Sequence, residues 1–185
     1  DILEVSFRNL KRWNILETPQ RLETVHRIIG FQRRLVESGA FRNPRSHIYY
    51  LPELYSAYFG RCHAAFMALP APARRAIDPD GTFQFVRGKV LAYVEDELIA
   101  REMNPFDAAL ALMALAHLGA DISTFTPALH CIVSHLGEGG RHGPYKAYEW
   151  NKMKTPTRIL VGGPEVTSAF VLMGLALARG AMKRV

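Results

Sequence analysis

Apolar residues recur every three to four positions along most of the chain, which is the spacing of one face of an α-helix. This spacing predicts seven helices, over residues 2–13, 19–38, 52–69, 84–103, 105–118, 127–136 and 164–179. Strand signals are few, and the best of them, Arg158–Val161, is too short and isolated to build a sheet. The pattern therefore predicts an all-α fold.

Proline and glycine mark the ends of these helices. Proline is well tolerated at the first position of a helix, where its missing N–H would have no partner, so five prolines predict helix starts: Pro19, Pro52, Pro105, Pro127 and Pro164. Three of them follow a residue type that caps helices, namely Thr18, Asn104 and Thr126. Glycine adopts the left-handed conformation just beyond a helix, which predicts helix ends at Gly39, Gly119, Gly137 and Gly180.

The predicted helices are of two alternating kinds. Helices 19–38 and 84–103 place charged residues between their apolar ones, so one face should meet water. Helix 105–118 has no charge after Asp107, and helix 164–179 has none between Glu165 and Arg179, so both are expected to be buried on every side. Exposed helices (19–38, 84–103, 127–136) thus alternate with inner ones (52–69, 105–118, 164–179), which is typical of repeated αα-hairpins in a ring or solenoid.

The two most apolar helices also share a sequence pattern. Residues 107–115 (DAALALMAL) align with residues 167–175 (TSAFVLMGL). Small residues recur at matching positions, and they are expected where neighbouring helices approach each other closely. The alignment therefore supports a repeated hairpin unit.

Three segments resemble the prenyltransferase and squalene-oxidase repeat proteins, a terpene-cyclase-like family with an (α/α)6 toroid. They are the aromatic stretch 49–59 (YYLPELYSAYF), the start of an inner helix at 104–112 (NPFDAALAL) and a closing helix at 162–170 (GGPEVTSAF). The resemblance implies that residues 1–185 form a single α/α-toroid domain amounting to the C-terminal half of a barrel. The chain has no initiator Met, so residues are expected to precede Asp1, or a second copy pairs with this one.

The resemblance also implies a function. Proteins of this family act on or bind a polyprenyl or triterpenoid lipid, or a prenyl diphosphate, in an apolar cavity lined by aromatic side chains. The residues expected to contact such a substrate here are Tyr50, Tyr55, Tyr58, Phe59, Phe106, Phe170 and Trp150. Trp150 lies in a long basic loop, residues 137–163, that is expected to border the cavity. Plain core packing is the competing interpretation of all these aromatic residues.

The sequence does not contain a complete catalytic motif. The family's catalytic acid is an Asp-rich motif, and neither residues 78–81 (DPDG) nor 95–97 (EDE) match it; they indicate a turn and a solvated helix face. Asp107 is expected to cap its helix, and the catalytic residues stay unassigned. No metal site or cofactor is expected, except Mg²⁺ accompanying a diphosphate substrate. A non-catalytic helical-repeat scaffold that binds a protein partner is the alternative, and a zinc-dependent prenyltransferase subunit is a third option.

Composition and charge indicate which environment and which partners the protein is expected to have. A hydrophobic fraction of 49% and a charged fraction of 22% are ordinary for a globular protein, and the longest apolar run contains Pro164 and Glu165, so no transmembrane segment is expected. The net charge is +6, but the basic residues are scattered, which argues against a nucleic-acid surface and suits weak peripheral contact with anionic lipid. Cys62 and Cys131 indicate reduced core thiols in a cytoplasmic protein.

Overall fold

A computed structural model describes residues 2–42, 52–140, 142–143, 148–151, 158–161 and 163–183. Within these residues there are eight α-helices: α1 (Ile2–Arg8), α2 (Pro19–Glu37), α3 (Pro52–Met67), α4 (Ala71–Ile77), α5 (Thr82–Tyr93), α6 (Pro105–Leu118), α7 (Thr126–Ser134) and α8 (Pro164–Met182). A π-helical turn, Val94–Leu98, continues α5, and short 3-10 turns occur at Ala40–Arg42, Ile122–Phe125 and Glu138–Gly140. The all-α prediction is confirmed.

One small β-hairpin departs from the helical pattern. Strands β1 (Tyr148–Asn151) and β2 (Arg158–Val161) pair antiparallel, with Trp150 opposite Ile159. The strand at 158–161 lies where its sequence predicts it, but it is not isolated. Its partner lacks the run of branched apolar residues that usually indicates a strand, so no local pattern predicts the pairing.

Most predicted helix starts are confirmed, and several predicted ends are wrong. Helices α2, α3, α6 and α8 begin at their prolines, whereas α7 begins at Thr126, one residue before Pro127. The single helix predicted over 84–103 is shorter, because α5 and its π-helical turn end at Leu98, and α4 was not predicted at all. Helix α1 stops at Arg8, well before residue 13; beyond it the chain turns, and Asn14 has a positive φ of 43°.

Glycine ends two helices as predicted. Gly39 and Gly119 have left-handed φ angles of 68° and 67°; Gly119 directly follows α6, and Gly39 follows α2 by two residues. Gly180 lies inside α8, which continues to Met182, so that predicted end is wrong. Gly137 follows α7 by three residues and does not have a positive φ.

Helix α6 lies at the centre of the structure. It packs against α3 and α8 most extensively, and against α7 and the π-helical turn to a lesser extent. Helix α1 packs against α3, so α1, α3, α6 and α8 form a row of consecutive neighbours, while α2 packs against α5. We call α1, α3, α6 and α8 the central row. A closed toroid is not implied by this row and stays a prediction.

The expectation that helix 105–118 is buried on every side is confirmed. All residues of α6 except Asp107 and His117 are buried. Both neighbours approach it through a glycine: a Cβ on Gly60 of α3 would lie 3.4 Å from the Cα of Ala114, and a Cβ on Gly174 of α8 would lie 2.9 Å from the carbonyl oxygen of Ala109. The small residues of the shared pattern therefore do lie where helices come close.

The same expectation for helix 164–179 is wrong. Only four residues of α8 are buried, at the spacing of a single stripe: Thr167, Val171, Gly174 and Ala178. Leu172 and Met173 on the opposite side are 68% and 43% exposed. An apolar composition allows a helix to be buried on every side, but it does not determine how many helices surround it. Helix α8 packs on α6 with one face only.

Helix α8 is also the one helix within the described residues that is long and apolar enough to cross a membrane by length and composition. Between Glu165 and Arg179, however, only thirteen residues, 166–178, are free of charge. A bilayer span needs roughly 20 such residues. The apolar character of α8 is therefore weak evidence for a span.

We expect Gly174→Ala to destabilise the protein by about 1–3 kcal/mol, because the added methyl group would meet the backbone of Ala109 rather than a flexible side chain. Gly180→Ala is the matched control in the same helix. No atom lies within 4 Å of a Cβ at that position, so alanine should stabilise the helix by up to about 1 kcal/mol. Urea unfolding followed by circular dichroism measures both; a stabilising effect of Gly174→Ala would contradict the close packing of α6 and α8.

Candidate functional site

A small apolar cluster lies between α3, α6 and α8, and its members Phe170 and Leu177 also pack against the main core. Its fully buried members are Ala57, Phe106, Leu110 and Met113, and partly buried Leu54, Phe170 and Leu177 pack against them. We call these seven residues the inner apolar cluster. The rings of Phe106 and Phe170 are 5.0 Å apart and tilted by 60°. Two of the residues expected to bind substrate thus lie in direct contact, on the central row.

The other predicted aromatic residues are elsewhere. Tyr55 and Phe59 belong to a continuous series of ring contacts in the main core, in which Phe59 stacks on Phe83 at 5.8 Å and Phe83 stacks on Phe66 at 4.6 Å. Tyr58 is half-buried. Tyr50 and the side chain of Trp150 lie outside the described residues. A role in binding substrate stays a prediction for all of them.

Tyr55 has a specific polar partner inside that core. Its hydroxyl donates to the side-chain carbonyl oxygen of Gln32 at 2.6 Å, and burial raises the pKa of Tyr55. A neutral, hydrogen-bonded phenol is what a buried tyrosine needs to avoid an unpaired polar atom. The geometry of Tyr55 and Phe59 therefore fits the packing interpretation.

Beside the inner apolar cluster, two carboxylates from different helices lie close together. Glu53, the second residue of α3, is only 4% exposed, and its carboxylate accepts hydrogen bonds from Arg101 and, at 3.4 Å, from the hydroxyl of Tyr93. Asp107, the third residue of α6, is 3.7 Å from the same guanidinium. We call Glu53, Tyr93, Arg101 and Asp107 the carboxylate cluster.

Asn104 holds Asp107 in this position. Its side-chain oxygen accepts hydrogen bonds from the backbone N–H groups of Phe106 and Asp107, at 2.9 and 3.0 Å, and its side-chain amide donates to the carboxylate of Asp107 at 3.0 Å. Asn104 is therefore the cap of α6, as its residue type predicts. The expectation that Asp107 caps the helix is wrong, because its carboxylate bonds to the cap instead of to the backbone.

Burial raises the pKa of Asp107 from 3.8 to about 6, and the negative charge of Glu53 adds to this effect, whereas the Arg101 guanidinium opposes it. The first turn of a helix normally favours a carboxylate, but desolvation outweighs that benefit here. A carboxyl group with such a pKa can exchange a proton near neutral pH, which is a property of general acids and of structural carboxyl pairs alike.

Burial raises the pKa of both thiols, which disfavours the reactive thiolate even though Cys131 Sγ lies 3.9 Å from His135 Nδ1. Burial raises the pKa of Cys62 to about 12, and the thiol of Cys131 donates to the carbonyl oxygen of Met103, so both are unreactive free thiols. Burial, with the charge of Arg87, lowers the pKa of His63 to about 4. Within the described ranges no group of three His, Cys, Asp or Glu side chains is arranged to hold a metal ion.

The sequence pointed to only part of this site. The resemblance predicts Phe106 and Phe170, whereas no sequence pattern assigns a chemical role to Glu53, Tyr93 or Arg101. One signal was available: each of α3, α6 and α8 begins with proline and has a carboxylate in its first turn, at Glu53, Asp107 and Glu165. That two of the three meet around one arginine depends on packing between helices.

Comparison of the chain with protein-family models, with curated proteins and with solved structures gave no significant match.

We expect the stability of the protein to depend on pH through Asp107. Its pKa is higher in the folded state than in the unfolded one, so its contribution to stability is complete below about pH 4 and is lost as the pH rises through about 6. Asp107→Asn should therefore increase the free energy of unfolding by on the order of 1–3 kcal/mol near pH 7.5 and have a much smaller effect near pH 4. Urea unfolding at several pH values measures this difference.

Asp96→Asn on the exposed side of the π-helical turn provides the control. It removes the same charge from the surface, so we expect a change below about 0.5 kcal/mol at both pH values. If the stability difference between wild type and Asp107→Asn did not vary with pH, Asp107 would not be a desolvated carboxyl group.

Proposed function

We propose that this chain binds an isoprenoid or triterpenoid lipid on its central row of helices, in the manner of the terpene-cyclase-like proteins whose motifs it resembles. The observation that carries the proposal is the inner apolar cluster. It joins an aromatic pair, Phe106 and Phe170, to aliphatic side chains from three helices. Flat and branched apolar surfaces of this kind suit a branched hydrocarbon chain.

The partial exposure of this cluster supports binding rather than packing alone. Phe170 and Leu177, both on α8, are only half-buried while the residues beneath them are completely buried. Each of the two could therefore lose further apolar surface to a ligand. Aromatic faces also attract positive charge, which is the property that carbocation chemistry requires of its surroundings.

The charge of the carboxylate cluster favours an uncharged polar end group on the isoprenoid over a diphosphate. Glu53 and Asp107 together carry more negative charge than Arg101 can balance when Asp107 is ionised. A diphosphate beside them would be repelled, whereas a hydroxyl group could accept from Arg101 or donate to a carboxylate. We therefore propose that an uncharged isoprenoid, such as an alcohol or a hydrocarbon, binds here more tightly than its diphosphate.

We expect the protein to bind farnesol or geranylgeraniol with higher affinity than the corresponding diphosphates, and Phe170→Ala to weaken this binding on the order of tenfold through lost apolar contact. Phe85→Ala is the matched control, since Phe85 is also half-buried but lies on α5, beside Arg33 and Lys89. Displacement of a fluorescent isoprenoid measures the affinities. An equal loss of affinity in both variants, or no binding by the wild type, would contradict the proposal.

A second candidate function is an interaction scaffold, which the exposed stripe of α8 favours. Val166, Leu172 and Met173 are 40%, 68% and 43% exposed, and acidic Glu165 and basic Arg179 lie near opposite ends of the helix. Two copies of α8 packed antiparallel would bring each Glu165 near the partner's basic end while covering both apolar stripes. The occupant we propose for this stripe is therefore a second copy of the chain.

We expect light scattering to show a concentration-dependent dimer that Leu172→Lys converts to monomer, because the substitution would bury two like charges at the centre of the contact. Phe31→Lys on α2 is the control, since it changes an apolar residue outside α8 that is also more than half exposed. A monomer at every accessible concentration would rule out the scaffold in this form and leave lipid binding untouched.

A further inference from the structure

Two adjoining grooves run along the exposed side of α2. One, of about 520 Å³, is lined by Thr24, Arg27, Ile28, Phe31 and Arg34. The other, of about 450 Å³, shares Thr24 and Ile28 with it and continues between α1 and α2 to Trp13, Arg12 and Arg21. We call this combined surface the α2 groove. From Arg21 to Arg34 it extends about 20 Å along the helix.

The α2 groove combines large apolar side chains with arginines. Phe31 is 52% exposed and Trp13 is 37% exposed, and large apolar side chains that are exposed within one surface mark interaction sites. On α2 itself, Thr24, Arg27, Phe31 and Arg34 follow one another at intervals of three or four residues, so the arginines flank the phenylalanine on one face. The aromatic and the basic side chains therefore form one surface.

The arginines of this surface are not neutralised. Within the described residues, Arg12, Arg21, Arg27 and Arg34 form no ion pair, although Arg21 donates a hydrogen bond to the carbonyl oxygen of Trp13. The neighbouring Arg33, by contrast, is paired with Glu37 at 2.8 Å and lies over Phe85. The other carboxylate of α2, that of Glu23, lines neither groove.

We propose that the α2 groove docks on a membrane surface that contains anionic phospholipid. Guanidinium groups pair with phosphate through two parallel hydrogen bonds, and aromatic rings enter the region between headgroups and acyl chains. A membrane fits better than a free phosphate compound, because phosphate alone would leave Phe31 and Trp13 in water. It also fits better than an acidic protein surface, since both grooves are open to solvent and apolar Ile15, Val25 and Ile28 lie among their lining residues.

This docking is independent of the isoprenoid site. The α2 groove lies on α1 and α2, whereas the inner apolar cluster lies between α3, α6 and α8. Vesicles without any isoprenoid therefore test it alone, and Phe170→Ala should bind such vesicles as the wild type does.

The experiment is sedimentation of the whole chain with phosphatidylcholine vesicles, with or without phosphatidylserine. We expect binding only when phosphatidylserine is present, and weaker binding as salt increases. Arg27→Gln combined with Arg34→Gln should lower the partition coefficient on the order of thirtyfold. The control pair Arg179→Gln and Lys183→Gln removes the same charge from exposed positions at the C-terminal end of α8 and just beyond it, and should lower the partition coefficient less than about threefold.

A second measurement reports insertion rather than charge. In a Trp150→Phe background, the emission of Trp13 should shift to shorter wavelength with phosphatidylserine vesicles and stay unchanged with phosphatidylcholine alone. Phe31→Ser should weaken vesicle binding on the order of tenfold at constant net charge. Equal binding to both vesicles, or an equal loss in the groove pair and the control pair, would overturn the proposal. All four arginine and lysine positions are exposed, and circular dichroism verifies that each variant is folded.

Discussion

The close approach of three helix backbones at α6 is the constraint on which the rest of the structure depends. Gly60 and Gly174 bring α3 and α8 against the alanine-rich surface of α6 from two directions. Side chains larger than alanine at these points would separate the helices and leave voids in a core that is otherwise closely packed. The burial of α6, the inner apolar cluster and the meeting of Glu53 with Asp107 all require this spacing.

The same approach explains the chemistry of the carboxylate cluster. Helices that pack this closely bring their first turns together, so that acids placed at helix starts for local reasons share one desolvated region. Arg101 and Tyr93 then satisfy Glu53, while Asp107 keeps a raised pKa because it is desolvated and lies near the negative charge of Glu53. Such a group stabilises the fold less than a well-solvated carboxylate would, which is a cost that functional sites often carry.

Two separate surfaces of the molecule differ in character. The exposed side of α8 presents an apolar stripe, and the α2 groove presents arginines and aromatic rings. An apolar stripe without charge at its centre suits another protein helix, whereas an aromatic surface flanked by guanidinium groups suits phospholipid headgroups. The lipid site that we propose lies among α3, α6 and α8 and shares no residue with the α2 groove, so the two can be altered separately.

The sequence by itself determined most helix starts and two helix ends, because their signals are local: proline and Asn104 at helix starts, left-handed glycine after α2 and α6, and apolar spacing within one segment. It also predicted that α6 is buried. Tertiary packing decided the remainder. The exposure of α8, the core position of Tyr55 and Phe59, and the cluster of Glu53, Arg101 and Asp107 depend on which helices become neighbours, and no local pattern encodes contacts between residues that lie fifty positions apart.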